Sequence, residues 1–256
     1  MEKPATILTP DVTGAATQGN GTSPAGGRPA IILVPWDPDS PDHVERMRLQ
    51  RVACGWKQDG AESWRPLQRE GKIGLHWIRP PPASRLTKPS SRPKRRPSGT
   101  RAAAFSGGGT RCPPEIAGDG DLFVPVGHIS LDGWHADPSL QTSAADGVYS
   151  LTTFYVSKAM QGVGIGGAAV AECERMAVED FGAKTMTLDT ISNEDIAVDS
   201  PRRIALKRPI LKITNQDWYM RRGYEVYHRR PNAWFDTDAT GKEWWCTAVC
   251  LRKNLV

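Results

Sequence analysis

Residues 161–167 read QGVGIGG, and a stretch with four glycines in seven residues can be neither a strand nor a helix interior. What stands on either side decides its use. Before it, residues 148–156 alternate Thr152, Phe154 and Val156 with polar or amphipathic neighbours and are rich in β-branched and aromatic side chains, which predicts a strand. After it, Ala169, Cys173, Met176 and Ala177 recur at helical spacing, Glu172, Glu174, Arg175 and Glu179 fall mostly on the other face, and Gly182 closes the helix. Residues 185–189, TMTLD, predict a second strand. A strand, a bare turn and a helix start leave a row of backbone N–H groups at the positive end of a helix dipole. That arrangement receives an anion, and no side chain keeps it away.

Two kinds of phosphate cradle match these letters. Gly162, Gly164 and Gly167 satisfy GxGxxG, and Asp189 stands where a dinucleotide fold puts its ribose-binding acid. Against that reading, SKAM and Gln161 intervene between strand and first glycine, about 150 residues precede the motif, and too little follows Asp189 for a doubly wound sheet. The second cradle uses Gln161, Gly164 and Gly166 as Q-x-x-G-x-G. This resembles the acetyl-CoA signature of the GCN5-related N-acetyltransferases (GNAT). The resemblance implies that the backbone of Gln161, Gly162, Val163, Gly164, Ile165, Gly166 and Gly167 holds the pyrophosphate of CoA. It also implies that Phe154, Tyr155 and Val156 lie along the cofactor, with an amide among them facing the thioester carbonyl.

The tail carries a second resemblance. Residues 218–224, WYMRRGY, are similar to the GNAT closing helix Y-x-x-x-G-[FY], and two strands are expected after it, at 224–228 and 244–251. Tyr219 then occupies the position from which family members protonate the departing thiolate, a task suited to a phenol because its pKa lies near that of a thiol. The family's pantetheine-binding asparagine corresponds to Asn193 or to Asn215. The segment between them holds Arg202, Arg203, Lys207 and Arg208, a basic cluster with two readings, CoA phosphates or a solvated loop. With CGW, TLDTI and PNAWF added, the chain is similar to a divergent group of fungal GNAT-like proteins over roughly residues 30–80 and 122–254.

The rest of the chain is read around that centre. At 256 residues and 39% hydrophobic content it can bury one core, while 25 glycines and 21 prolines make much of it loop. Residues 1–28 have little charge and little to pack, and are expected to be a disordered leader to a domain spanning 29–256. Residues 30–36 predict a strand, Asp39 or Ser40 caps a helix with Val44, Met47, Val52 and Ala53 on its apolar face, a shorter helix is expected at 62–70, and 73–78 predict a strand. An insertion at about 80–120 is expected to be disordered and basic: between Arg85 and Arg111 stand eight basic residues and no acidic one, against a net charge of +5. A solvated loop is the commoner use of such a run, a nuclear-import patch at Lys94, Arg95 and Arg96 or nucleic-acid contact the rarer one. Folding resumes at Leu122 with a strand at 123–132, where Gly127 marks a bulge or a close backbone contact, followed by a loop.

The fold class expected is therefore α+β, a GNAT-like mixed sheet flanked by helices, in which the strands before and after the glycine-turn helix splay to admit pantetheine. The five cysteines are scattered, without a CxxC, so a reducing compartment and no metal site are expected; no apolar run approaches a membrane span, which puts the protein in the cytoplasm or the nucleus. The resemblance implies an enzyme that uses acetyl-CoA and transfers its acetyl group to a small-molecule or protein amine by direct attack. Candidates for the base are Asp132, His128 and Glu225, and Trp218, Trp234, Trp244 and Trp245 are candidates to line an acceptor pocket for an apolar or aromatic amine. The alternatives are a catalytically silent acyl-CoA-binding module and an NAD(P)-dependent oxidoreductase.

Overall fold

A computed structural model describes residues 30–80, 116–118 and 121–256; the expected leader, the basic run with its Lys94, Arg95 and Arg96 patch, and Cys112 lie outside the described residues. The elements are β1 (Ile32–Pro35), α1 (Pro41–Cys54), α2 (Gly60–Arg69), β2 (Leu75–Arg79), β3 (Ile116–Gly118), β4 (Asp121–Phe123), β5 (Gly127–Asp132), β6 (Val148–Val156), α3 (Ile165–Phe181), β7 (Thr185–Ile191), α4 (Asn193–Ile196), α5 (Pro201–Ala205), α6 (Asn215–Met220), β8 (Glu225–Thr237) and β9 (Glu243–Asn254).

Local chemistry explains most of these boundaries. The Ser40 hydroxyl accepts from the His43 amide, Pro41 opens α1, and Gly55 ends it in the left-handed conformation. The buried face of α1 is nonetheless not the expected one: His43, Met47, Gln50 and Arg51 are buried, while Val52 is 47% exposed. The polar members are buried because they are hydrogen-bonded. His43 Nδ1 accepts from the Asp37 amide and the Trp77 indole, and Gln50 Nε2 donates to the Pro125 carbonyl. Pro66 sits inside α2, not in its first turn as a helix there required. The cost of an interior proline, about 3 kcal/mol, is offset by burial of Trp64 and Ala61.

Seven strands form one sheet in the order β1-β2-β5-β6-β7-β9-β8, and β3 pairs with β4 separately. That hairpin corrects the expected extent of the insertion. Ile116 and Phe123 are buried with Trp36, Met47, Leu75 and Trp77, so these residues belong to a core. A second cluster packs Ala169, Val170, Cys173 and Ala177 of α3 on Ile129, Leu131, Leu151, Met186 and Leu188. Within the seven-stranded sheet β6 and β7 are parallel and the other neighbours antiparallel, which is mixed α+β and no doubly wound dinucleotide sheet. The last two strands run well beyond their expected ends because they pair with each other, through register shifts at Val226/His228 and Arg230/Trp234. Cys54, Cys173, Cys246 and Cys250 are free thiols. Among the described residues no helix is long and apolar enough to cross a membrane.

Candidate active site

The cleft begins where two strands part. β6 and β7 pair only at Val148↔Thr185, Tyr149↔Met186 and Ser150↔Thr187, yet β6 continues to Val156 and β7 to Ile191. On its other side β6 is bulged: Thr153 and Phe154 stand opposite Ile129 alone, with Thr153 at φ 43°. Gly127, on the partner strand, makes the expected close contact, since an added Cβ would lie 2.2 Å from the Tyr155 carbonyl oxygen. The edge of β6 past Ser150 thus faces an opening, where its backbone groups are available to a ligand.

The glycine turn stands over one end of that opening. Gly164 is the N-cap of α3 at φ 90°, a conformation that disfavours any side chain, and it leaves the first amides of the helix without a capping oxygen. Gln161 Nε2 donates to the Val156 carbonyl at 2.9 Å, while Gln161 Oε1 is buried without a partner among the described residues. Arg222 lies against the same helix start: its guanidinium stacks 3.3 Å from the Trp218 ring centroid, and a Cβ on Gly167 would meet its Nη2 at 3.0 Å.

These elements bound a cavity of about 990 Å³. Phe154, Tyr155, Val156, Gln161, Gly162, Gly164, Gly166, Gly167, Asn215 and Tyr219, all expected at the site, line it together. Val163 and Ile165 do not: the first is 61% exposed and the second is packed in the core, so what they can offer a ligand is main chain. Asn193 is also elsewhere. Its Nδ2 donates to Asp217, its Oδ1 accepts from Thr214, and its amide donates to Gln216 Oε1, which fastens the end of β7 to α6. Asn215, beside it on α6, faces the cavity.

Tyr219 is held between Trp218 and Tyr224, with ring centroids 4.9 and 5.6 Å away. Burial pushes its phenol well above the ordinary value, against the opposing charge of Arg222, so it keeps its proton as a donor must. Of the three candidate bases the structure brings one to the cavity. Asp132 accepts from Ser130, from Thr152 Oγ1 at 2.5 Å and from the Gly74 amide at 3.3 Å. Burial nevertheless pushes it up to about 6. His128 is fully buried away from the cavity. Arginine only donates, so His128 Nε2 accepts from Arg51 at 3.1 Å and Nδ1 donates to Gln50 at 2.8 Å; burial and Arg51 push this imidazole well below its usual value. Glu225 is exposed at the outer start of β8.

The basic cluster is likewise structural. Arg202 and Arg208 both pair with buried Asp236, and Arg203 donates to the carbonyls of Ala197, Val198 and Arg208. Trp218 and Trp234 line the cavity as expected. Trp244, which donates to Asp238, and Trp245, stacked on Phe235, do not. Sequence reasoning missed Trp56, Trp134, Lys57, Asp137, Arg222 and Arg230, which also line it, and read Asp189 only as a ribose ligand. Arg230 bridges Asp137 at 2.6 Å and Asp189 at 3.7 Å. Burial opposes ionisation of Asp137, but Ser139 and Arg230 outweigh it and hold the carboxyl below its usual value; burial pushes Asp189 up to about 6 against the charges of Arg230 and Lys57. The repeated aromatic and acidic letters of CGW, GWHAD and PNAWF were the available signal.

A split sheet with a bare helix start over the split matches the GNAT-like layout expected from the sequence. Residues 88–201 match the model of the acetyltransferase (GNAT) family. No curated protein sequence matches it. Among solved structures it is similar to the aminoglycoside 6'-N-acetyltransferase of Enterococcus faecium (14% identity, 88% of this chain and 97% of that one, TM-score 0.45). It is similar too to a GNAT family acetyltransferase of Elizabethkingia anophelis with acetyl-CoA bound (12%, 88% and 97%, TM-score 0.43). A third is the spermidine/spermine N-acetyltransferase of Vibrio cholerae (6%, 89% and 93%, TM-score 0.47).

Proposed function

We propose that the chain transfers an acetyl group from acetyl-CoA to an amine by direct attack on the thioester. The observation that carries this reading is the meeting, in one cavity, of the bare α3 start at Gly164, the open edge of β6 and the buried phenol of Tyr219. The fit of the donor is supported by two features: a helix start kept free of side chains, and the buried Gln161 Oε1, an acceptor that a bound N–H or O–H would satisfy. In this reading the amides of residues 162–167, with Arg222 and Lys158 of the same cavity lining, would hold the diphosphate, Asn215 and the open edge of β6 would hold pantetheine, and an amide of Phe154, Tyr155 or Val156 would receive the thioester oxygen.

The chemistry then balances with two side chains. Asp132, directly or through water, takes a proton from the ammonium group. The freed lone pair attacks the carbonyl carbon, a C–N bond forms, and the backbone amide stabilises the oxyanion. The C–S bond breaks with its electron pair on sulfur, Tyr219 gives that sulfur a proton, and the second amine proton restores the phenol. The sum is an N-acetyl amine, CoA thiol and one proton released.

The test is thermal melting with acetyl-CoA, CoA, NAD and NADP in parallel, joined to an assay of free CoA thiol on an amine panel. At about a hundred times its dissociation constant the true ligand adds roughly 2.7 kcal/mol. Protection by acetyl-CoA and CoA with thiol release is expected. Protection without release on any amine identifies a silent binding module, and protection by NAD or NADP alone overturns the reading.

A further inference from the structure

The half of the cavity away from the glycine turn is walled by indoles. Trp56 follows α1 and Trp234 lies on β8, an edge strand of the sheet, and their rings meet edge to face with centroids 6.4 Å apart. Both indoles line the cavity, so this ring contact joins two of its walls. Trp134, from the loop after β5, adds a further wall.

Charge narrows the occupant further. In this half Arg230 pairs with Asp137 at 2.6 Å and reaches Asp189 at 3.7 Å, and the charge of Lys57 acts on both Asp132 and Asp189. The tryptophans are moreover already served by cations of the protein: Lys57 lies 4.8 Å from the Trp56 centroid, Arg230 5.6 Å from Trp234, and Lys72 5.6 Å from Trp134. A guest with several positive charges would meet Lys57 and Arg230 without enough free carboxylates to balance it. A guest with one ammonium group and a flat apolar body meets the chamber's remaining resources, which are indole surface and the carboxylates Asp132 and Asp189.

Resting on the acetyltransferase reading, we propose that the acceptor is a small monoamine carried on an aromatic or similarly flat apolar body, lodged against the Trp56–Trp234 pair with its nitrogen toward Asp132. Polyamines and aminoglycosides are disfavoured by their several charges, and a lysine side chain by its lack of a flat body to set against the indoles.

The experiment compares tryptamine, spermidine, kanamycin and a lysine peptide as acceptors for the full-length protein with acetyl-CoA, with acetyl-CoA affinity measured separately. Tryptamine is expected to have a kcat/KM at least about tenfold above each of the others, as aromatic contact and charge balance predict. Trp234→Ala and the milder Trp234→Phe are expected to raise the KM for tryptamine in that order, with acetyl-CoA affinity kept within about twofold. If Trp234→Ala fails to fold, the Phe variant and the wild-type panel still decide. Preference for spermidine, kanamycin or the peptide overturns the inference, as does acetyl-CoA binding with no acetylation of tryptamine. Failure of acetyl-CoA to bind instead sinks the reading beneath it.

Discussion

Ser150 and Thr187 face each other across β6 and β7 with hydroxyl oxygens 2.7 Å apart, and theirs is the last rung before the two strands separate. Thr187 also donates to the Leu140 carbonyl at 2.9 Å, and Thr142 meets Ser150 from the other side. A knot of buried hydroxyls thus sits at the apex of the opening and fixes where it begins. Thr187→Val keeps the shape of the side chain and removes its hydrogen bonds, leaving buried partners unsatisfied. A loss of about 1–3 kcal/mol in urea unfolding is expected, together with weaker CoA binding in a titration. Unchanged stability would mean that the rung has no structural role.

Tyr219→Phe removes a hydroxyl from a ring whose packing against Trp218 and Tyr224 stays intact. General-acid catalysis contributes about 10²–10⁴-fold, so kcat is expected to drop by at least about a hundredfold while acetyl-CoA affinity is unchanged. Because burial raises this phenol, its own ionisation should not limit the wild type on the alkaline side of neutral. Full turnover by the Phe variant would remove Tyr219 from the mechanism.

Asp132→Asn tests the base in two ways. Wild-type turnover should rise with pH through about 6, where Asp132 loses its proton, and the variant should lack both this limb and most activity. Stability runs the opposite way. A carboxyl raised from 3.8 to about 6 binds its proton more tightly in the fold, so its contribution is present below about pH 4 and lost as pH rises through 6. The Asn variant should therefore gain on the wild type between pH 4 and 7, by up to about 3 kcal/mol, in parallel denaturant melts. A difference that does not change with pH would refute the buried-carboxylate account.

Asp236→Asn addresses the basic cluster. Arg202 and Asp236 side chains are 5% and 1% exposed, so removing the carboxylate leaves a buried guanidinium without its counter-charge. A loss of about 3–5 kcal/mol is expected, read by urea unfolding. Had Arg202 and Arg208 served CoA phosphates, freeing them would tighten CoA binding instead.

What could be read in the letters was whatever depends on near neighbours. The Ser40 cap, the Gly182 stop, the alternation before residue 156 and the bare turn at Gln161 are local consequences of backbone freedom and side-chain size, and each appears where it was expected. Periodicity failed on α1 because hydropathy ranks His43, Gln50 and Arg51 as surface residues. Only distant partners such as His128, Pro125 and Ala117 make their burial tolerable.

The same division holds at the site. The sequence by itself determined that a phosphate-receptive helix start follows a strand, and that a tyrosine stands four residues before Gly223, since both are matters of short spacing. The tertiary structure alone decided that Asn215 and not Asn193 faces the cavity, that Asp132 and not His128 or Glu225 reaches it, and that Trp56 and Trp234 meet in its lining. Those choices depend on which strand edge lies beside which loop. That is settled by the packing of a whole sheet, in which residues nearly 180 positions apart become neighbours.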